Sequence, residues 1–407
     1  MYFIALVISL AQALGSPGTP AQDTTALEKL AQSALSRLEK MRGQKLTKPL
    51  KMGVKNRAEI LRFINRRLAD EYGPKRVNAE GELLRLQGLL PKGLDYGKFV
   101  AKLLAEQVAG FYDHTRQELH IADWIPSMVQ APVLAHEIFH AIQDQEWGGG
   151  KLIDSKKYRH DAVLAHAALL EGDATIMMFN YSQSDMDVST SSVMANMIAA
   201  SIPAQMGGAQ YPVLASAPAY LKQSLIFPYA QGFLFLVALR QQGLTWADIR
   251  NVYRDPPSST EQILHPQKYL KPRDRPSLVA LKAPILPGFK HIWTETLGEF
   301  HFRQLLLEHM DVADASAAAE GWDGDLTVLA TDGRRQVAVT VSTWDTEADA
   351  RQFEAALKTA YATVTPPPAH LETMRTSTTL AMAWSLDKKL AKEALQVAFS
   401  SAKVTRR

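Results

Sequence analysis

The sequence predicts an α+β protein: a mainly helical domain over residues 24–284 with a small β-hairpin, then a ββαββα unit over 285–407. Three observations lead there. Apolar residues between positions 24 and 270 recur chiefly at helical spacing. One stretch, "GFYDHTRQELHIADW" at 110–124, instead alternates on both sides of a turn-like centre. Beyond 285 the texture changes to paired alternating strands, each pair followed by a helix.

The chain opens on "MYFIALVISLAQALGSPGTP", an apolar run that turns polar and rich in Pro and Gly. That pattern predicts a signal peptide over 1–15, with "AQA" and "ALG" as small-residue cleavage sites, and export to the periplasm or the medium. The run is too short for a membrane span, so no stable membrane insertion is expected once it is removed. Residues 24–42 read as an amphipathic helix capped by Thr24 or Thr25. "KLTKPLKMGVK" reads as a short extended piece, and "NRAEILRFINRRLADEYG" as a helix stopped at Gly73-Pro74. Two further helices fall in "AEGELLRLQGLLP" and "DYGKFVAKLLAEQVAG", before the hairpin.

After the hairpin, one helix takes Pro132 in its first turn and stops at Gly148-Gly149-Gly150. Long apolar helices follow over 158–180 and 227–243. "WADIRNVYRDPPSSTEQILHPQKYL" gives a short helix, a Pro-Pro break and a second, capped segment. In the C-terminal unit, "DLTVLATDGRRQVAVTVSTWD" is a hairpin around Asp332-Gly333. "TEADARQFEAALKTAYA" is a helix, "HLETMRTSTTLAMAWSLD" a second strand pair, and "KKLAKEALQVAFSSA" the closing helix.

Composition narrows the function. The chain has 407 residues, 46 % hydrophobic and 21 % charged, which marks a folded chain with more than one small core. Net charge is +3 with the two signs interspersed, so no nucleic-acid partner is expected. With no cysteine, disulfides and thiolate sites are excluded, and any metal must be held by His, Asp or Glu.

The stretch "VLAHEIFHAIQDQ" contains His136-Glu137-x-x-His140. On a helix, positions i and i+4 share a face, so both imidazoles can meet one ion. Glu137 is offset round the helix and is free to act as a general base on water. Flanking Val133, Leu134, Ile138, Phe139 and Ile142 predict a buried helix, and buried facing histidines need a partner. A third ligand is expected on a second helix. Glu171 in "LLEGDAT" is the first candidate, because an unpaired carboxylate in so apolar a segment is costly. His166 and Asp173 are its rivals, and a bridge from Glu171 to Arg159 is the bland alternative. Asp144, one turn past His140, suits either steadying a ligand histidine or tying down the helix end.

HExxH followed by a glutamate on a later helix resembles the gluzincin zinc metallopeptidases, the thermolysin type. "LAHEIFHAIQDQ", "LLEGDAT", "FPYAQGF" and "PPSSTEQILHP" together resemble a group of little-characterised bacterial exported metallopeptidase-like proteins, over roughly 100–275. The resemblance implies a zincin-like domain with Zn2+ on His136, His140 and Glu171, and Glu137 as base. A peptide or protein substrate would lie along "QELHIADW", the strand before the motif helix. It also implies an oxyanion donor after the third ligand, for which Tyr229 and His265 are the candidates. In one respect the chain departs from the pattern: the aspartate four residues after the glutamate ligand is Thr175 here. The expected function is therefore zinc-dependent peptide-bond hydrolysis. The alternatives are an inactive zinc-binding scaffold of the cell envelope and a hydrolase of cell-wall amides.

Overall fold

The computed structural model describes residues 9–10, 24–206, 211–282, 285–364 and 366–407. The expected signal peptide thus lies outside the described residues, apart from the two-residue strand β1 (Ser9–Leu10). The fold is α+β.

The first layer is helical. Helix α1 (Thr24–Arg42) leads into strand β2 (Lys51–Lys55) and helix α2 (Arg57–Arg67). A capping box between Asn56 and Glu59 starts α2, which then widens into a π-helical turn over Leu68–Tyr72. Helix α3 (Gly73–Leu86) begins at the Gly-Pro pair expected only to end α2: proline suits a first helical turn as well as it breaks a preceding one. Helix α4 (Tyr96–Gln107) follows.

Strands β3 (Val108–Asp113) and β4 (Glu118–Ala122) form the expected antiparallel hairpin. The sheet order is β1-β3-β4-β2, with β2 parallel to β4. This corrects the expectation that "QELHIADW" is a free edge. Strand β4 has neighbours on both sides, so a peptide cannot add to it.

Helix α5 (Ser127–Trp147) carries the HExxH motif. It starts earlier than the sequence suggests, and Pro132 lies inside it rather than in its first turn. Gly148, at φ 70°, takes the left-handed conformation that closes the helix, and its N–H donates to Asp144 and Gln143 carbonyls. After the short α6 (Gly149–Leu152) comes α7 (His160–Ser182), apolar nearly all round and therefore buried. Helix α7 is long and apolar enough to cross a membrane, but 83 % of its apolar window is buried inside the molecule.

Helices α8 (Ser192–Met206), α9 (Pro212–Ala215) and α10 (Ala219–Gln241) follow. Helix α10 packs against α7 at glycine pair Gly172 and Gly232. A methyl group at either position would collide with the other helix's backbone. The small residues beside Glu171 thus serve the contact with α10.

Helices α11 (Trp246–Arg254), α12 (Thr260–Leu264) and α13 (Pro266–Tyr269) fill the break region as expected. Strand β5 (Leu278–Ala280) pairs with the last strand, β11 (Lys403–Thr405). Between them lie β6 (Lys290–Glu295), α14 (Gly298–Leu307), α15 (Val312–Ala319), β7 (Trp322–Thr331), β8 (Gln336–Trp344), α16 (Glu347–Ala362), β9 (His370–Thr376), β10 (Thr379–Ser385) and α17 (Lys388–Ser401). The span β7 to α17 is the expected ββαββα run. Strand β6 and helices α14 and α15 were not read from the sequence. The main sheet is antiparallel with order β6-β7-β8-β10-β9.

The two units share one core, which runs from the helical layer through Phe302, Trp322, Trp344 and Phe353. Helix α7 lacks a side-chain cap of its own. Glu295, from β6, accepts the His160 N–H at 2.7 Å, and Asp161 accepts from the Thr260 N–H at 2.9 Å. The C-terminal unit therefore fixes the start of the helix that carries Glu171.

Candidate metal centre

Helix α5 places His136 and His140 one turn apart, and α7 places Glu171 opposite them. All three are buried, at 3 % exposure or less. His140 Nε2 lies 2.9 Å from His136 Nε2. Glu171 Oε2 lies 3.1 Å from His136 Nε2 and 3.5 Å from His140 Nε2. Three ligand atoms at ~2.05 Å from one tetrahedral zinc would stand about 3.3 Å apart. The observed triangle brackets that value.

The chemistry of the donors agrees. Two imidazole nitrogens and a carboxylate oxygen are a ligand set that zinc accepts. Among the described residues, the ion-pair partners of Glu171 are these two histidines, with no lysine or arginine among them. The other carboxylate oxygen, Oε1, is buried without a hydrogen bond among the described residues. The residues present fit the group.

Electrostatics tighten the triad. Burial pulls the His136 imidazole below its ordinary range, and its hydrogen bond to Glu171 only partly offsets this. Burial acts the same way on His140, but the Glu171 and Glu137 carboxylates outweigh it and hold His140 above the ordinary value. Burial raises the Glu171 carboxyl, yet the two imidazoles more than compensate and leave it lowered.

The rivals point elsewhere. His166 Nδ1 sits 2.7 Å from the Leu152 carbonyl, and its ring packs edge-on against Tyr158. Asp173 pairs with Arg42, whose Nη1 lies 2.6 Å away. Arg159 donates to the Thr294 carbonyl rather than to Glu171. Asp144 accepts from Tyr112 Oη and the Gly150 N–H, so it ties the end of α5 to β3 and orients no histidine.

That steadying contact comes from Gln143, which the sequence reading missed. Its Oε1 lies 2.6 Å from His140 Nδ1. A position three residues after a ligand on the same helix was the available signal. Thr175 does not replace the missing aspartate: its buried hydroxyl has no hydrogen-bond partner among the described residues.

Tyr229 is brought to the site. Its ring stacks on His136 with centroids 6.2 Å apart. Both line a cavity of about 20 Å³ with Thr175, Met178, Ile202 and Gln205, room for about one water. His265 is not brought there. Its Nε2 pairs with Glu299 Oε1 at 2.8 Å, on the side of α12 that meets α14. Ser259 caps α12, the second segment of the break region, and Glu261 pairs with Lys268. A cleft of about 990 Å³ opens beside the C-terminal end of α5 and is lined by His114, Asp144, Trp147 and Tyr253, without the triad.

No curated protein and no solved structure matches this chain. Residues 289–405, the C-terminal unit, match a family model described as a domain of unknown function (DUF8575).

Proposed function

We propose that the protein hydrolyses peptide bonds with the help of zinc, through a zincin-like arrangement in its helical domain. His136, His140 and Glu171 are the ligands and Glu137 the general base. The observation that carries this reading is the buried triangle of ligand atoms, with edges of 2.9, 3.1 and 3.5 Å. Zinc held there supplies Lewis acidity, which lowers the pKa of water and polarises a carbonyl.

The chain's own groups supply the rest. Glu137 is fully buried and sits one residue round the helix from His136. Its carboxylate is therefore off the ligand line, where it can take a proton from water and pass it to the departing amine. Tyr229, stacked on His136, is the hydroxyl donor for a developing oxyanion. His265 is withdrawn from that role, because Glu299 already engages its imidazole.

A second reading is a zinc-binding scaffold without turnover. The cavity of about 20 Å³ beside His136 favours it, since no peptide fits that space. Glu137→Gln separates the two. Under the hydrolase reading, the variant keeps its zinc while peptide cleavage falls by about 10²- to 10⁴-fold. Wild-type protein that holds zinc and cleaves neither a broad peptide library nor cell-wall fragments leaves only the scaffold.

A further inference from the structure

We infer that Gln143, Tyr253, Asp173 and Arg42 form a buried chain that holds His140 in the one tautomer able to bind a metal through Nε2. The inference rests on the zinc reading, and it names positioning residues rather than ligands.

The direction of each hydrogen bond follows from what its partners can do. Gln143 Nε2 lies 2.9 Å from the Leu170 carbonyl, which can only accept. The amide nitrogen therefore faces Leu170, and Oε1 faces His140. An amide oxygen cannot donate, so His140 must carry its proton on Nδ1. Nε2 is left bare and aimed at His136 and Glu171. The carbonyl that sets this order belongs to the residue just before Glu171. One turn of α7 thus supplies a ligand and also fixes the tautomer of another.

The chain continues outward. Gln143 Nε2 also donates to Tyr253 Oη at 2.8 Å. Tyr253 then donates its own proton to Asp173 Oδ2 at 2.6 Å. Arg42 clamps that carboxylate from Nη1 at 2.6 Å and Nη2 at 3.0 Å. Its guanidinium also lies over the Trp246 ring, 4.4 Å from the centroid. Gln143, Asp173 and Arg42 are all buried, as is Tyr253. The last residue of α1 thereby reaches the histidine on α5 through a tyrosine on α11 and an aspartate on α7. Through Arg42, helix α1 thus takes part in the support of the proposed metal centre.

The test uses the full-length chain. Nitrogen-15 spectra of the metal-free protein, taken as pH is raised until the His140 signals report a neutral ring, give the tautomer directly. We expect His140 as the Nδ1–H form, and loss of that preference in Gln143→Leu. Zinc affinity, read by chelator competition, should fall about 10- to 100-fold in Gln143→Leu and less in Tyr253→Phe. Gln143→Glu keeps the acceptor and should recover most of the affinity, which a purely structural role would not predict. The cobalt-substituted protein should show an altered visible spectrum in Gln143→Leu and a near-native one in Gln143→Glu. An Nε2–H tautomer in the wild type overturns the inference, and so does unchanged zinc affinity in folded Gln143→Leu. If Gln143→Leu does not fold, Tyr253→Phe and Gln143→Glu carry the same comparison. A wild type that binds no zinc ends the metal reading, whereas the tautomer spectrum still decides the chain.

Discussion

Among the described residues, two groups of side chains bring three candidate metal-ligating atoms within 4.8 Å of one another: His136, His140 and Glu171, and Glu261, Asp274 and Asp345. They differ in what stands at the centre. In the second group the Lys268 ammonium lies 2.6 Å from Glu261, 2.6 Å from Asp345 and 3.4 Å from Asp274. The chain brings its own cation there, and two of the three carboxylates reach solvent. The first group is wholly buried, and no lysine or arginine pairs with it among the described residues. Proximity of acidic groups alone is therefore a poor guide to metal binding. What separates the two is whether the protein has already neutralised the cluster from within.

Removing a ligand should produce the largest effect. His140→Ala is expected to take zinc from about one per chain to near none, measured by elemental analysis of purified protein. Full zinc in that variant would break the comparison. Removing the internal cation comes next. Lys268→Met leaves Glu261 buried beside two other carboxylates and should destabilise the fold by about 3 kcal/mol in denaturant titration. Its zinc content should stay at that of wild type. A second equivalent of bound metal would show that the lysine was all that kept the site closed.

A smaller effect concerns a buried imidazole outside both groups. Burial pushes His166 down to about 4, with the Leu152 carbonyl only partly opposing it. The unfolded chain then binds the proton first as pH falls through the ordinary value near 6.5. The stability that neutral His166 provides is therefore present above pH 6.5 and is lost on acidification down to about 4. Between pH 8 and 5 that loss is about 2 kcal/mol, and His166→Phe should remove this part of the pH slope in denaturant midpoints. Least of all is expected from Thr175→Val, a near-isosteric change at a hydroxyl with no partner among the described residues. Stability should move by less than about 1 kcal/mol and zinc affinity should hold. A tenfold loss of zinc would restore Thr175 to the role of the absent aspartate.

The parts of this molecule that a sequence shows best are those set by local spacing. His136, Glu137 and His140 were legible because one helix turn brings them together. Glu171 was legible because a carboxylate stood out in an apolar segment. The hairpin and the ββαββα run were legible from alternation and turn residues. What stayed hidden depends on long-range geometry. Arg42 and Asp173 are 131 positions apart, and Tyr253 meets Gln143 across 110. The burial of β4 between two neighbours came from β2, a strand that pairs in parallel from far upstream. His265 looked like a donor because a histidine before a proline says nothing of the Glu299 that engages it.

The crossing of Gly172 and Gly232 sets where Glu171 and Tyr229 stand, through main-chain contact instead of side-chain fit. Spacing fixed by bare backbone does not shift when nearby side chains change size. Met178, Phe179 and Ile202 can then vary around the pocket while Glu171 and Tyr229 keep their separation. Under the proposed hydrolysis, a library that randomises those three positions and leaves both glycines untouched is the natural place to look for altered cleavage.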